Sequence, residues 1–442
     1  MTTQHTEAQH TESGRTPIYG PEFARDPAAA YARMRAEHGD LAPVELSPGV
    51  PATLVLGYDA ALEILRDPGT FPRCSEVWEE AVGPECPVLP MMMTRPSALF
   101  TNGAVHARLR SVIVDSLERV DPVSLRGYVA SNADSLIDRF AADGKADLIG
   151  QYARALPLLV FNEMFGCPED IGAKLVRGMS AIFDTVSAEE GNALLMEATA
   201  ELVAAKRRRP GADVTSWMMA HPAGLDDTEM AHQIILLVGA GTEPEQNLIA
   251  NGIGLLLSDD RFGGDLSGGS LPVEDALDEI LWTDPPMANY GTTFPRQDVD
   301  FHGHRLPAHQ PVLVSYAAAN TDPSRATADR KGNRAHLSYA GGPHNCPAKG
   351  HSRLIASVAI EQLLDRLPDV ELAVPADRLE WRPGPFHRAM TALPVVFPRP
   401  GRTPSETGRP PGLTGRASGQ APAFGPRPRS RRGGRRRRRS AA

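Results

Sequence analysis

The sequence contains little cysteine and no long apolar run. Its four cysteines among 442 residues form no Cys-x-x-Cys pair. This argues against a disulfide framework and a zinc ribbon and favours a reducing compartment, so we expect a cytoplasmic protein. The N-terminal stretch is polar and predicts no signal peptide. The longest apolar runs, such as residues 234–241, are shorter than the roughly 18 residues of a membrane span, and no membrane association is expected.

Charge is unevenly distributed along the chain. The net charge is −8, yet residues 400–442 hold twelve arginines and a single acid, Glu406. This segment is rich in Gly, Pro and Arg and has few apolar residues to bury, which predicts a disordered basic tail. Such a run is able to touch nucleic acid. A tail without a specific role is the favoured interpretation, and no nucleic-acid function is expected for the acidic body.

Hydrophobic periodicity predicts a body dominated by helices. Apolar residues recur at helical spacing over residues 26–39, 106–120, 123–144, 191–211 and 226–259. Strand patterns are short and mostly late, over residues 298–306, 310–317 and 391–397. We therefore predict a disordered N-terminus over residues 1–20, a mainly α domain with small β-sheets over residues 21–399, and the tail over residues 400–442.

Cys346 lies in an unusual setting, because residues 338–353 read SYAGGPHNCPAKGHSR. Pro347 suits the first position of a helix, which predicts Cys346 as its N-cap. There the helix dipole and free N–H groups stabilise a thiolate. Gly341 and Gly342 allow the backbone to pass close to a flat group, and His344 adds a donor. These residues alone leave open a reactive-cysteine enzyme, a metal site and an inert buried cysteine.

The stretch YAGGPHNC (339–346) resembles the haem-binding loop of bacterial cytochrome P450 monooxygenases. Other segments resemble the family in the same chain order: HARLR (106–110), VGAGTEPEQNLIA (238–250), TDPPMANY (283–290) and AAANTDP (317–323). The first is similar to a helix that carries His and Arg four residues apart, on one helix face. The second is similar to the oxygen-binding groove of the long central helix. The resemblance extends from about residue 21 to residue 397.

The resemblance implies the cytochrome P450 fold and one haem b, with Cys346 as the ligand to iron. It implies further haem contacts from His106, Arg110, Ala240, Gly241 and His344. It also implies oxygen insertion into a small organic substrate, with electrons from a ferredoxin and its reductase or with peroxide, since no flavin or iron–sulfur motif is fused to the chain. The segments that meet substrate in the family are apolar and Met-rich here, which favours an apolar substrate.

The central helix departs from the family, which usually has an acid followed by Thr. Here Glu243 is followed by Pro244 and then by Glu245. Proline removes one N–H and clashes with the carbonyl of Ala240, which predicts a kink. These three residues are the candidate catalytic positions: either acid is able to relay protons through water, or both acids pair locally.

A second departure concerns the family's Glu-x-x-Arg motif, which reads Glu279-Ile280-Leu281-Trp282 in this chain. Trp282 cannot neutralise a buried carboxylate, which is costly when unpaired. Either Glu279 is hydrated, or an arginine reaches it from the irregular segment before the cysteine loop, which is called the meander in this family. The candidates are Arg325, Arg330 and Arg334. A subset of bacterial P450s also lacks this arginine.

A third departure lies on the next strand. In the family, an arginine on this strand contacts the second haem propionate. By resemblance, Thr293 occupies its position in this chain, and Arg296 is nearby but out of register with that position. Haem anchoring is then expected to depend on His106, Arg110 and His344.

Two functions of different classes remain. The first is a working monooxygenase or a peroxide-using variant. The second is a P450-fold partner or scaffold that binds haem or another enzyme. The retained Cys346, His344, His106 and Arg110 favour haem binding and the first function, whereas the lost Thr and Arg favour atypical oxygen activation. A cysteine hydrolase is disfavoured because no His–Asn partner pattern accompanies Cys346.

Overall fold

Helices form most of the described residues. The computed structural model describes residues 14–183, 188–259, 261, 273–325, 330 and 332–399. The predicted tail (400–442) and residues 1–13 of the predicted N-terminal segment lie outside these residues. The helices are α1 (Pro21–Arg25), α2 (Pro27–His38), α3 (Tyr58–Arg66), α4 (Glu76–Val82), α5 (Leu89–Met92), α6 (Gly103–Leu117), α7 (Pro122–Ile137), α8 (Ala155–Met164), α9 (Glu169–Phe183), α10 (Ala188–Arg208), α11 (Val214–Met219), α12 (Asp227–Ser258), α13 (Val273–Thr283), α14 (Tyr316–Asn320) and α15 (Lys349–Arg366).

The strands are short. They are β1 (Thr16–Pro17), β2 (Leu41–Ser47), β3 (Val50–Val55), β4 (Lys145–Asp147), β5 (Asn289–Thr293), β6 (Val299–Phe301), β7 (His304–Leu306), β8 (Val312–Ser315), β9 (Glu371–Leu372) and β10 (Pro394–Val396). The prediction of a mainly α domain with small sheets is confirmed. No helix among the described residues is long and apolar enough to cross a lipid bilayer.

Helix α12 is the longest element, with 32 residues. It begins with a capping box, because the Asp226 side chain accepts from the Glu229 N–H at 2.8 Å and the Glu229 side chain accepts from the Asp226 N–H at 3.2 Å. Every residue from 245 to 254 is buried, as expected for a helix enclosed on all sides. The helix continues through Pro244 without interruption.

The main core lies where α12 packs against α8, α13 and α15, and where α7 packs against α8 and α15. Its fully buried side chains include Val129, Tyr152, Ile253 and Ile360. Burying a side chain of this size stabilises the fold by roughly 1.5–3 kcal/mol, so this layer fixes α12 and α15 relative to each other. The two helices that carry the candidate site are therefore held rigidly.

A five-stranded sheet in the order β1-β2-β3-β8-β5 packs on a second core. Strands β2 and β3 form an antiparallel hairpin, and β3 pairs with β8 in parallel. Strand β1 pairs with β2 and is followed by the fully buried Ile18. The prediction of disorder over residues 1–20 is therefore wrong for residues 16–18. A two-residue strand shows no periodicity, and only its pairing partner orders it.

Two smaller sheets complete the fold, in the orders β4-β10-β9 and β6-β7. Strand patterns predicted β6, β7, β8 and β10. They missed β5, whose sequence Asn-Tyr-Gly-Thr-Thr has no apolar alternation. Strand β5 is nevertheless almost entirely buried, and it matters because it borders the candidate site.

Candidate functional site

The loop that carries Cys346 is fixed against helix α3. Gly342 has φ +65°, and a Cβ placed on it would collide with the carbonyl oxygen of Leu65. A Cβ on Gly341 would lie 3.4 Å from the Leu62 side chain. Glycine is required at 342 both for its left-handed backbone and for this close approach. The sequence interpretation expected the glycines to approach a flat group, whereas the structure shows their close contact with α3.

Cys346 lies two residues before the N-cap of helix α15. Its N–H donates to the Tyr339 carbonyl at 2.8 Å. Helix α15 begins at Lys349 with Ala348 as the N-cap, so the prediction of Cys346 as the N-cap is wrong. The physical reason is that Pro347 and Ala348 form a turn before the helix starts.

The Cys346 thiol is half-buried, with protein packed closely around it. Burial raises the pKa of the Cys346 thiol, whereas the Ala348 N–H and the positive charge of Arg110 act in the opposite direction. The expectation that the helix end by itself favours a thiolate is therefore wrong, because desolvation dominates. A bound metal cation would supply the missing positive charge, since a coordinating thiol is deprotonated.

His106 contacts the cysteine loop from helix α6. Its Nε2 lies 3.2 Å from the Pro343 carbonyl oxygen, and its Nδ1 lies 2.8 Å from the Ala98 carbonyl oxygen. The His106 ring is 4.0 Å from the His344 ring, centroid to centroid. The sequence interpretation had placed these two histidines at one site, and the structure brings them together.

Arg110 lies one turn further along α6 and holds the residue before the cysteine. Its Nη2 donates to the Asn345 side-chain oxygen at 2.9 Å and also to the Asn345 backbone oxygen. His106 and Arg110 thus both point to the loop, as their spacing of four predicted. Helix α6 therefore holds the loop through two side chains.

His344 carries a buried nitrogen without a partner. Its Nε2 makes no hydrogen bond with the described residues. Burial, followed by the charge of Arg73, lowers the pKa of His344 to about 2, so the ring is neutral. Leaving a buried polar atom unpaired costs roughly 1–3 kcal/mol. An additional group that bears oxygen acceptors fits this position, and the propionates of a haem are such groups.

Helix α12 presents an open apolar stripe, formed by Leu237, Ala240, Gly241 and Pro244. These residues share one face because they are spaced by three or four. Ala240 and Gly241 are exposed although they lie in the middle of a buried helix. A Cβ added at Gly241 meets no atom within 4 Å. Open space therefore adjoins the stripe, and it suits a flat apolar group.

Glu243 lies on one flank of the stripe and is paired. Its buried carboxylate forms an ion pair with Arg382, and the Asn247 amide donates to it at 3.4 Å. Arg382 belongs to the segment before β10, 139 residues away along the chain. Sequence reasoning missed Arg382 because no local pattern signals so distant a partner.

Glu245 lies on the opposite flank and points toward α15. Burial raises the pKa of Glu245 to about 8, and the Ser352 hydroxyl opposes this shift. Its Oε1 has no hydrogen-bond partner among the described groups, and the Ser352 hydroxyl lies 3.2 Å from that of Tyr339. Glu245 is therefore a buried, neutral acid at pH 7.

Thr242 provides the hydroxyl closest in sequence to these acids, but it is directed elsewhere. It donates to the Val238 carbonyl at 2.8 Å and is buried. Since Glu243, Glu245 and Thr242 lie off the face of the stripe, its four residues leave it apolar.

Of the two alternatives for Glu279, the structure shows the second, in which an arginine of the meander reaches it. Arg330 Nη1 lies 3.7 Å from its Oε1, and Arg261 lies 3.5 Å from the same atom. The other two candidates pair elsewhere, Arg325 with Asp59 and Arg334 with Glu274 and Asp278.

Trp282 takes over part of the role of the missing arginine. Its Nε1 donates to the Asn333 carbonyl at 2.7 Å, and the Arg330 guanidinium lies 5.9 Å from the ring centroid. The His336 ring packs against Trp282 edge-on at 5.8 Å. Helix α13 therefore holds the meander by this neutral hydrogen bond and by ring contacts, in addition to the ion pairs of its acidic residues.

Comparison with known proteins identifies the family. No family model matches the chain. The chain is 32% identical over 400 residues to the cytochrome P450 monooxygenase PikC of Streptomyces venezuelae, covering 86% of this chain and 93% of PikC. It is 31% identical over 370 residues to the mycinamicin IV hydroxylase/epoxidase of Micromonospora griseorubida, covering 79% of this chain and 90% of that protein. The chain therefore belongs to the cytochrome P450 family.

The fold agrees with solved structures of this family. The myxobacterial cytochrome P450 CYP267B1 in complex with myristic acid superposes with a TM-score of 0.77 at 27% identity, covering 86% of this chain and 98% of that one. The predicted P450 fold is confirmed. The relatives are named as monooxygenases and hydroxylases, so the chain is a haem-dependent oxidoreductase that acts on a small organic substrate with electrons from a redox partner.

We predict that Trp282→Phe lowers the free energy of unfolding by about 1–2 kcal/mol, because it leaves the Asn333 carbonyl without its donor. Chemical denaturation of the purified protein measures this. The matched control is Trp217→Phe, since Trp217 stacks on Arg119 at 4.5 Å and its Nε1 makes no hydrogen bond with the described residues. Equal losses in the two variants would show that the indole hydrogen bond does not hold the meander.

We predict that Glu245→Gln stabilises the protein in a pH-dependent way. The pKa of Glu245 is about 8 in the folded chain and 4.5 in its ordinary state. Between these values the unfolded carboxyl releases its proton while the folded one keeps it, so wild-type stability falls as pH rises from 4.5 to 8. The thermal midpoint of Glu245→Gln relative to wild type should rise through this window and level off above pH 8. Glu80→Gln, at an exposed site, serves as control; a flat difference for Glu245→Gln would contradict its neutral state.

Proposed function

We propose that this chain inserts oxygen into a small, largely apolar organic molecule at a haem b whose iron is bound by Cys346. The observation that carries this proposal is the combination at one site of a half-buried thiol and a buried nitrogen without a partner among the described residues. Cys346 supplies the first and His344 the second. The open stripe at Ala240 and Gly241 adds space for a flat group.

The chain's own residues would hold the haem. Cys346 would bind the iron, and His106, Arg110 and His344 would face the propionates. When bound, haem supplies oxygen activation, and thiolate donation to its iron favours cleavage of the O–O bond. The protein contributes orientation, exclusion of water and control of protons.

An apolar substrate is supported by the side chains on the sheet side of the site. Met92, Leu99, Phe100, Tyr290 and Phe294 lie close together there and give this side of the site a mostly apolar surface. Methionine and aromatic side chains adapt to irregular apolar molecules. The relative named for mycinamicin IV and the structural neighbour that carries myristic acid support an organic molecule of this general kind.

Proton delivery is the unusual feature of the proposed reaction. Pro244 has no hydroxyl, Glu243 is paired with Arg382, and Glu245 points toward α15. Proton relay from any of these groups to the stripe would therefore require intervening water. We propose ferredoxin and ferredoxin reductase as electron donors, and hydrogen peroxide as a substitute that bypasses the proton-delivery step.

The haem half of the proposal is tested by the reduced, CO-bound absorption spectrum. Wild type should show the red-shifted band of thiolate ligation, and Cys346→Ala should lose it. The substitutions Cys74→Ala, Cys86→Ala and Cys167→Ala serve as controls, and each should leave the band unchanged. Loss of the band in one of these controls would place the ligand elsewhere.

The oxygen half is tested by coupling, the product formed per reduced nicotinamide consumed. Without a hydroxyl at position 244, wild type should be poorly coupled with a ferredoxin system, and turnover with peroxide should match or exceed it. Glu243→Gln weakens the pair with Arg382 and should change coupling, whereas the exposed Glu80→Gln should not. Tight coupling in both wild type and Glu243→Gln would remove the missing hydroxyl and this acid from proton delivery.

A further inference from the structure

Arg73 is a buried arginine whose guanidinium faces no carboxylate among the described residues. The residue is 6% exposed. Its Nη1 donates to the Thr292 carbonyl at 3.3 Å, and its backbone N–H donates to the Asn102 side chain at 3.4 Å. Burial lowers the pKa of the guanidinium. Since a buried charge without a counter-ion is costly, this arginine requires an anion that the chain does not supply.

The groups around Arg73 are neutral, and two of them also lack partners. Tyr290 and Tyr316 interact with it, but burial raises the pKa of each phenol to about 12, so neither is a counter-ion. Thr292 Oγ1 and His344 Nε2 are buried without hydrogen-bond partners in the described part of the chain. The charge of Arg73 is the second cause of the lowered pKa of His344, after burial. A cation and two unpaired polar atoms thus lie in one region, and no acid among the described residues interacts with Arg73.

The position of Arg73 identifies the anion. Its guanidinium bonds to the carbonyl of Thr292, directly before Thr293, where the resemblance placed the family's absent arginine. Arg296 is exposed and does not occupy this region. The carboxylates expected beside His344 in a haem protein are the haem propionates, and a guanidinium binds a carboxylate through two parallel hydrogen bonds.

We propose that Arg73 binds a haem propionate and replaces the arginine missing at Thr293. This rests on the proposed haem binding. Arg73 lies in the segment between α3 and α4, and its guanidinium reaches strand β5 at the Thr292 carbonyl. Arg73 acts on cofactor retention and not on substrate.

The proposal predicts opposite effects on the two forms of the protein. Without haem, Arg73 is an unpaired buried cation, so Arg73→Met should leave the thermal midpoint of the apoprotein unchanged or raise it. With haem, the same substitution removes a charge-assisted hydrogen bond and should weaken retention. A residue that acted only by packing would destabilise both forms.

The experiment follows haem transfer from the purified holoprotein to apomyoglobin by absorbance. Loss of one charge-assisted hydrogen bond should accelerate haem transfer by roughly 10- to 100-fold in Arg73→Met. Arg73→Lys should show a smaller increase, because lysine keeps the positive charge but cannot form the paired hydrogen bonds of a guanidinium. Arg296→Met is the matched control and should transfer haem at the wild-type rate. An unchanged rate in Arg73→Met would overturn the proposal.

Haem dimethyl ester separates the propionate from the rest of the cofactor. Apoproteins of wild type and Arg73→Met are reconstituted with haem or with its dimethyl ester, which has no carboxylate. Arg73→Met should bind haem more weakly than wild type does, but it should bind the ester as tightly as wild type does. Equally weakened binding of both cofactors would assign Arg73 to packing. If Arg73→Met does not fold, Arg73→Gln is compared in the same way. The CO spectrum of wild type, recorded first, shows separately whether the proposed haem-thiolate function holds.

Discussion

The contact between the cysteine loop and helices α3 and α6 positions the rest of the site. Gly342 packs its backbone against Leu65, and Arg110 holds Asn345, the residue directly before Cys346. Neither contact involves a cofactor. The loop is therefore preorganised by the protein, which reduces the ordering cost of binding a ligand there. A side chain at position 342 would displace the loop from α3 and move Cys346 with it.

Buried charges in this protein divide into paired and unpaired groups. Glu243 has Arg382, and Asp278 has Arg353, whose Nη1 lies 2.5 Å from its Oδ1. The first pair links the C-terminal segment to α12, and the second links α15 to α13. Arg73 and the neutral Glu245 have no opposite charge within the described residues. Paired ions are satisfied by the fold, whereas an isolated buried guanidinium indicates a ligand, because desolvation of a free cation is costly.

Two family features are replaced by different physical means. The arginine of the Glu-x-x-Arg motif is replaced by Trp282, which holds the meander through an indole hydrogen bond and through contact with Arg330. The threonine of the central helix is replaced by Pro244, and no nearby described side chain restores its hydroxyl. The first replacement preserves a structural contact. The second changes the chemistry available at the stripe, because proline offers neither a hydroxyl nor an N–H.

The sequence by itself determined the helical class, the long central helix and the cysteine loop, because helical periodicity and the spacing of His106 and Arg110 are local properties. It also limited the possible arginine partners of Glu279 to three, and the structure selects Arg330 among them. It placed Cys346 at the N-cap wrongly, since the turn of Pro347 and Ala348 is a matter of tertiary packing. Only the tertiary structure decided that Arg382 neutralises Glu243 and that Arg73 is isolated beside His344. These relations join residues far apart in the chain, and burial, which makes an unpaired charge costly, exists only once the chain has folded.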